Sequence, residues 1–280
     1  MKALYVESCG FSQEYDYRWL QFREQTEERT DKESLPAILL DALKLVDSET
    51  FSVVLARQDG ELLLLVTGLE PKKRLDFVDR QIRIAVAWVG EDEADSELAL
   101  RNLAARALEP EGLASLTTAI SLAVTLGGEE GFQTNVAALF ALAEPHQGTE
   151  LVAENPSEEI AEPVAEPVAE PVAEPVANAI AKRAKTSPER KRELAAELRE
   201  YSLPVQSGAL VVVTGIKKED TLREAGVWRG LSTLVTTEEW TEDIGAGKKR
   251  GILLELVSIG VLTALLGFLA KFLRFHTMRP

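Results

Sequence analysis

The stretch "KKRLDFVDRQIR" puts five cations, Lys72, Lys73, Arg74, Arg80 and Arg83, within twelve residues of an otherwise acidic chain. They follow "LLLLVTGLEP", which reads as a strand and its closing turn. Turns that end strands expose backbone N–H groups, and cations beside them can hold a phosphate or another anion. A small anionic-ligand site, such as one for a nucleotide signal, would also draw on Lys217, Lys218 and Arg229. The plainer reading is solvated loop charge paired with Asp76 and Asp79. The sequence favours it, because surface pairs reveal little.

Other chemistry is sparse. The two histidines, His146 and His276, have no cysteine or paired carboxylates at ligand spacing, so no metal site is expected. Cys9 is the one cysteine, which excludes an intrachain disulfide and suits a small buried hydrophobe. A Cys9–His146 nucleophile and base pair has no family signature behind it. "GAGKKRG" at Gly245 fails as a phosphate loop. The pattern's first glycine falls on Glu242, and Lys249 stands where Ser or Thr is required. No catalytic residue and no cofactor are expected.

The elements that would position the cations read as α+β. "KALYVES" suits an opening strand, and "SLPAILLDALKLVD" a helix with Leu35, Ile38, Leu39, Leu43 and Val46 on one side. "FSVVLARQDGELLLLVTG" reads as two strands around Asp59-Gly60, the pair favoured by a type I′ turn. The unbroken Leu62 to Val66 run predicts a strand covered on both faces. "IRIAVAWVG" follows as a strand. "DSELALRNLAARALEP", "EGLASLTTAISLAVTLG" and "GFQTNVAALFALAEP" then turn helical, punctuated by Pro110 and Gly127-Gly128. Strands first and helices later predict a small mixed or antiparallel sheet with helices over residues 1–150.

Residues 151–186 read as a disordered acidic spacer. Four tandem AEPV units and one further alanine fill Ala161 to Ala177, and a proline every fourth residue forbids a helix. Glu162, Glu166, Glu170 and Glu174 repel one another, and sixteen extended residues reach about 50 Å. Residues 187–247 form a basic helix and a small β-containing segment. Ser187 is the expected N-cap and Pro188 the first helical position, with Leu194, Leu198 and Tyr201 on one stripe. Strands are expected at Leu210 to Thr214 and Leu231 to Thr236. Some forty residues are few for an independent core, so this segment could complete the first domain's sheet. "ALVVVTGIKKED" echoes "LLLLVTGLEPKKR" over about ten residues, through a duplication or through two strands ending in similar turns.

Residues 248–280 read as a membrane anchor. Ile252 to Leu273 holds fourteen Leu, Ile, Val or Phe in 22 residues. As a helix it spans roughly 33 Å, against about 30 Å of hydrocarbon. The apolar side chains favour insertion by about 6 kcal/mol, and Glu255 and Lys271 sit near enough to the ends to snorkel. With seven residues beyond Leu273, this predicts a tail anchor. No secretory signal opens the chain, so the bulk is expected in the cytoplasm, although the flanking cations are tied in number. Lys248, Lys249 and Arg250 would meet anionic headgroups. Gly260 and Ala264, and Thr263 and Gly267, give small-residue spacings that allow anchors to associate as a homo-oligomer.

With 46 acidic against 31 basic residues, a net charge of −15, general nucleic-acid binding is not expected. The sequence therefore points to a single-pass, tail-anchored protein with a cytoplasmic adaptor, sensor or effector domain and an unidentified protein partner. A membrane-tethered enzyme acting on a phosphate-containing substrate and a membrane-disrupting effector are the alternatives.

Overall fold

Asp59 and Gly60 both take positive φ, +50° and +80°, and close the hairpin that the sequence marks. The computed structural model describes residues 1–23, 26–30, 34–71, 74–144 and 180–242. In chain order these form β1 (Ala3–Ser8), β2 (Arg18–Arg23), β3 (Thr26–Thr30), α1 (Ala37–Leu43), β4 (Ser52–Gln58), β5 (Glu61–Leu69) and β6 (Ile84–Glu91). Then come α2 (Ala94–Leu108), α3 (Pro110–Ala123), β7 (Val124–Leu126), β8 (Phe132–Thr134) and α4 (Val136–Ala141). After 145–179 follow β9 (Lys182–Lys185), α5 (Pro188–Glu200), β10 (Gly208–Thr214), α6 (Glu219–Glu224), β11 (Arg229–Ser232) and β12 (Thr241–Glu242).

The result is α+β, as expected, but the sheet is large rather than small. Ten strands join in the order β12-β9-β11-β10-β4-β5-β6-β1-β2-β3. The segment after the gap enters this sheet through β10, which lies antiparallel beside β4, with Val213 opposite Val53. β9, β11 and β10 run parallel to one another, and the other pairings are antiparallel. Met1–Glu242 is one compact unit.

Alternation along the strands divides the core in two. Leu62, Leu64 and Val66 of β5 face α2 to α5, with Trp88, Leu100, Leu116, Leu139 and Leu194. Leu63 and Leu65 face the other way, toward α1 and α6, with Leu39, Ala42 and Leu222. The five-residue apolar run is therefore buried on both faces, as its lack of polar alternation requires. Trp88 donates its indole N–H to Leu139 O at 2.9 Å, so its polar atom is met inside the core. Ser187 caps α5 by accepting from Arg190 N–H at 3.1 Å, as expected.

Three stated expectations of the sequence reading change. The helix expected to run through "SLAVTLG" stops at Ala123, and Val124–Leu126 pair with Phe132–Thr134 as a hairpin. β-Branched Val124 and Thr125 suit a strand, and Gly127, Gly128 and Gly131 supply its positive-φ turn. Lys182–Lys185, within the 151–186 spacer in the sequence reading, form β9 with Arg183 and Ala184 buried. The strand expected from Leu231 begins at Arg229 and ends at Ser232. Among the described residues no helix is long and apolar enough to cross a membrane, and Ile252 to Leu273 lies outside them. So do the AEPV units.

A buried polar clamp fixes the returning segment. Glu97 on α2 binds Arg57 Nη2 of β4 at 2.6 Å, accepts from Leu203 N–H at 2.8 Å, and lies 3.3 Å from Arg101 Nε. Arg101 donates to Leu198 O at 2.7 Å and to Tyr201 O, while Arg57 donates to Pro204 O at 2.5 Å. Removing one member of such a buried set leaves charge and carbonyls unmet, at a cost of about 3–5 kcal/mol. Arg101→Ala should therefore lower the midpoint of urea unfolding, followed by tryptophan fluorescence, by that equivalent. A change under about 1 kcal/mol would show that the clamp is not structural.

Candidate functional site

The strands end on two rims. One carries Lys2, the Asp59-Gly60 turn, Glu91, Gly208 and Lys182. The other carries Ser8, Ser52, Leu69, Ile84, Thr214, Ser232 and Lys185. Glu144, around one cleft with Lys2 and Glu91, and Ile180 and Glu242, beside the start of β9, all lie on the first rim. The connections β1–β2, β5–β6 and β10–α6 open on the second.

β5 and β10 flank β4, so the two Thr-Gly sequences end on either side of Thr50. Gly68 has φ +68°, and a Cβ there would lie 2.3 Å from Thr50 C and O. That approach admits only glycine. A Cβ on Gly215 would meet Thr50 Oγ1 at 3.2 Å. Asp47 fixes this corner by accepting from Thr50 N–H at 2.6 Å and Thr50 Oγ1 at 2.9 Å. Its carbonyl accepts from Thr67 Oγ1 at 2.9 Å.

The cations predicted from sequence divide three ways. Arg74 donates to Ser121 O, in the last turn of α3, and to Val124 O, at the start of β7, at 3.0 and 2.6 Å. Burial lowers its pKa, and its donors are committed to the fold. Arg80 pairs with Asp76 at 2.8 Å and Arg83 with Glu70 and Glu49. The first of these matches the plain ion-pair reading. Lys217 and Lys218 stand at the end of β10, on the same rim. Arg229 stands apart at the start of β11, gripped by both oxygens of Glu197 at 2.8 and 2.5 Å, with its guanidinium 3.9 Å from the Trp228 ring centre. It is buried and serves the β11–α5 contact. Lys72, Lys73, Lys248, Lys249, Arg250, Gly260, Thr263, Ala264, Gly267, His146 and His276 lie outside the described residues.

Beside Arg80 a cleft of about 220 Å³ is lined by Cys9, Tyr15, Tyr17, Asp76 and Phe77. Tyr17 accepts from Arg83 N–H at 2.8 Å, and burial pushes its phenol up to about 12. Burial also raises the Cys9 thiol, and the hydrogen bond with Tyr17 only partly offsets this. A protonated, buried thiol is a poor nucleophile. Burial pushes Asp76 upward too, but the N–H groups of Arg80 and Val78, each at 2.9 Å, and the Arg80 side chain hold it below its ordinary value. The cleft therefore holds a fixed ion pair and two protonated acids.

The sequence reading missed Lys191. Its ammonium stands 5.0 Å from the centre of the Phe51 ring, half-buried, and burial lowers its pKa. Only position could have marked it, since it sat within an ordinary basic helix. Among the described residues no group of three His, Cys, Asp or Glu side chains could hold a metal ion. No family model, curated protein or solved structure matches this chain.

Two outcomes follow from these environments. Asp76 has a lowered folded pKa, so its stabilisation is present above about 3.8 and is lost as pH falls through the folded value. Asp76→Asn should lower the unfolding midpoint at pH 7, with the gap to wild type closing below about pH 4. An unchanged gap across that range would refute the assignment. Cys9 should alkylate with iodoacetamide far more slowly than a free thiol at pH 7, and urea should remove the difference. Rapid labelling of the native protein would contradict it.

Proposed function

We propose that this chain is a membrane-tethered sensor or adaptor. Its domain, 1–242, works at a bilayer surface to which Ile252 to Leu273 holds it. What carries the reading is the contrast between the two parts. The domain closes both faces of its sheet with its own helices and needs no further apolar segment. The 22-residue run has the length and composition that hydrocarbon accepts. An apolar helix of that length with no polar face is costly in water unless protein or lipid covers it.

A non-catalytic role suits the candidate site. Arg74, Arg80, Arg83 and Arg229 are engaged by carbonyls and carboxylates rather than directed at a common point. Cys9 is held protonated, as suits a reducing compartment. The proposed tether places the domain on the cytoplasmic side, with Lys248, Lys249 and Arg250 against anionic headgroups. Gly260, Thr263, Ala264 and Gly267 provide a face through which anchors associate.

Fractionation tests this directly. The full chain should stay with membranes through a carbonate wash and leave them in detergent. Removal of 248–280 should release it, and added protease should digest the domain in vesicles that expose their cytoplasmic face. A full chain that purifies as a single species without detergent or lipid would end the proposal.

A further inference from the structure

Two crossovers leave the parallel strands on opposite faces of the sheet. From β9 the chain enters α5, whose Leu194 and Leu198 join one core, and from β10 it enters α6, whose Leu222 joins the other. β11 lies between β9 and β10, and its end at Ser232 stands between the two departures. Where crossovers diverge in this way, a crevice opens beyond the carboxyl ends of the strands, and open α/β sheets bind ligands there.

Ser232 is fully buried and ties both walls together. Its hydroxyl donates to Lys217 O at 2.5 Å, and its carbonyl accepts from Thr186 N–H, just before α5, at 3.0 Å. Thr233 Oγ1 adds a bond to Gly215 O at 2.7 Å. The Lys217 backbone and the start of α5 are thus held to one point. Lys191, one turn into α5, lays its ammonium over Phe51, the residue after the Thr50 against which Gly215 packs.

These lysines differ from four other described cations of the rim. Arg80 and Arg83 have carboxylates, as do Lys185 with Glu238 and Arg190 with Glu193. Among the described residues Lys191, Lys217 and Lys218 make no ion pair, in a chain with fifteen more acids than bases. Burial alone accounts for the lowered pKa of Lys191, so no carboxylate compensates its charge. A half-buried ammonium without a counter-ion is unfavourable unless an anion completes it.

We propose that this crevice binds a phosphate-bearing small anion, with Lys191, Lys217 and Lys218 supplying the charge and Phe51 forming the floor beneath Lys191. Three cations suit a doubly or triply charged group better than a single carboxylate. The site belongs to the sheet and stands whether or not the chain is membrane-tethered.

Inorganic pyrophosphate is the probe, titrated calorimetrically at low salt into the full chain in detergent micelles. Wild type should bind. Lys191→Gln, and Lys217→Gln with Lys218→Gln, should each weaken binding about tenfold or more, the loss of one charge-assisted bond. Lys44→Gln, on α1, should leave binding unchanged. Absence of binding, or equal binding by all variants, overturns the site. Competitive acetylation of wild type needs no variant to fold. Pyrophosphate should protect Lys191 and Lys217 several-fold relative to Lys44, and equal labelling with and without it also overturns the site.

Discussion

A carboxylate can leave water only if donors and cations meet it, and Glu97 accepts hydrogen bonds from two segments of the chain and pairs with a cation on its own helix. Arg57 comes from β4, Arg101 from one turn further along α2, and the Leu203 N–H from the segment that returns after 145–179. Closing a long excursion costs only about 0.6 kcal/mol more for each doubling of its length. Length therefore does little to oppose the return, and the clamp has to determine where the chain lands. Apolar burial alone would not, since Leu194 and Leu198 could pack on many apolar surfaces. The carbonyls of Leu198, Tyr201 and Pro204 meet Arg101 and Arg57 in one register only. Glu109 with Arg199 and Glu197 with Arg229 extend the same logic along α5, toward α2 on one side and β11 on the other.

Once α5 is fixed, β10 is delivered to the free edge of β4. That placement gives the echo between "LLLLVTG" and "ALVVVTG" a local physical reason. Both strands pair with β4, both need apolar side chains for two covered faces, and both end against Thr50. Gly68 is required there by sterics, and Gly215 meets the same residue more loosely. These shared constraints favour similar residues in the two strands whatever their descent.

How much was legible in the sequence depended on whether a signal was local. The Asp59-Gly60 turn, the doubly buried Leu62 to Val66 run and the Ser187 cap rest on a few neighbouring residues, and the structure bears them all out. β9 was invisible because "KRAK" is a strand only through its partners, with Arg183 buried between β11 and β12. β2, "RWLQFR", carries charge at both ends and was passed over for the same reason. At the candidate site, charge density identified the rim but not the engagement. Arg74 is spent on carbonyls where α3 gives way to β7, which lie 47 and 50 residues further along the chain. Arg229 is spent on Glu197, 32 residues earlier. Only tertiary contacts separate such cations from Lys191 and Lys217.

The two rims also differ in what the chain asks of them. Glu144, Ile180 and Glu242 all open on the rim of Lys2 and Glu91, so the covalent continuations of the domain leave from one side. On the opposite rim, described stretches of the connections are held from within, by Asp47 at Thr50, by Asp76 at Val78 and Arg80, and by Ser232 at Lys217. Connections so pinned lose little further freedom when a ligand arrives, which lowers the entropic cost of binding. The parallel strands end on this pinned rim, and so do the lysines without carboxylates. An acidic chain that pairs Arg80, Arg83, Lys185 and Arg190, yet leaves Lys191, Lys217 and Lys218 without carboxylates among the described residues beside a fully buried serine, has kept positive potential where hydrogen bonds fix its backbone. That combination of fixed geometry and unspent charge is what recognition of a small anion requires.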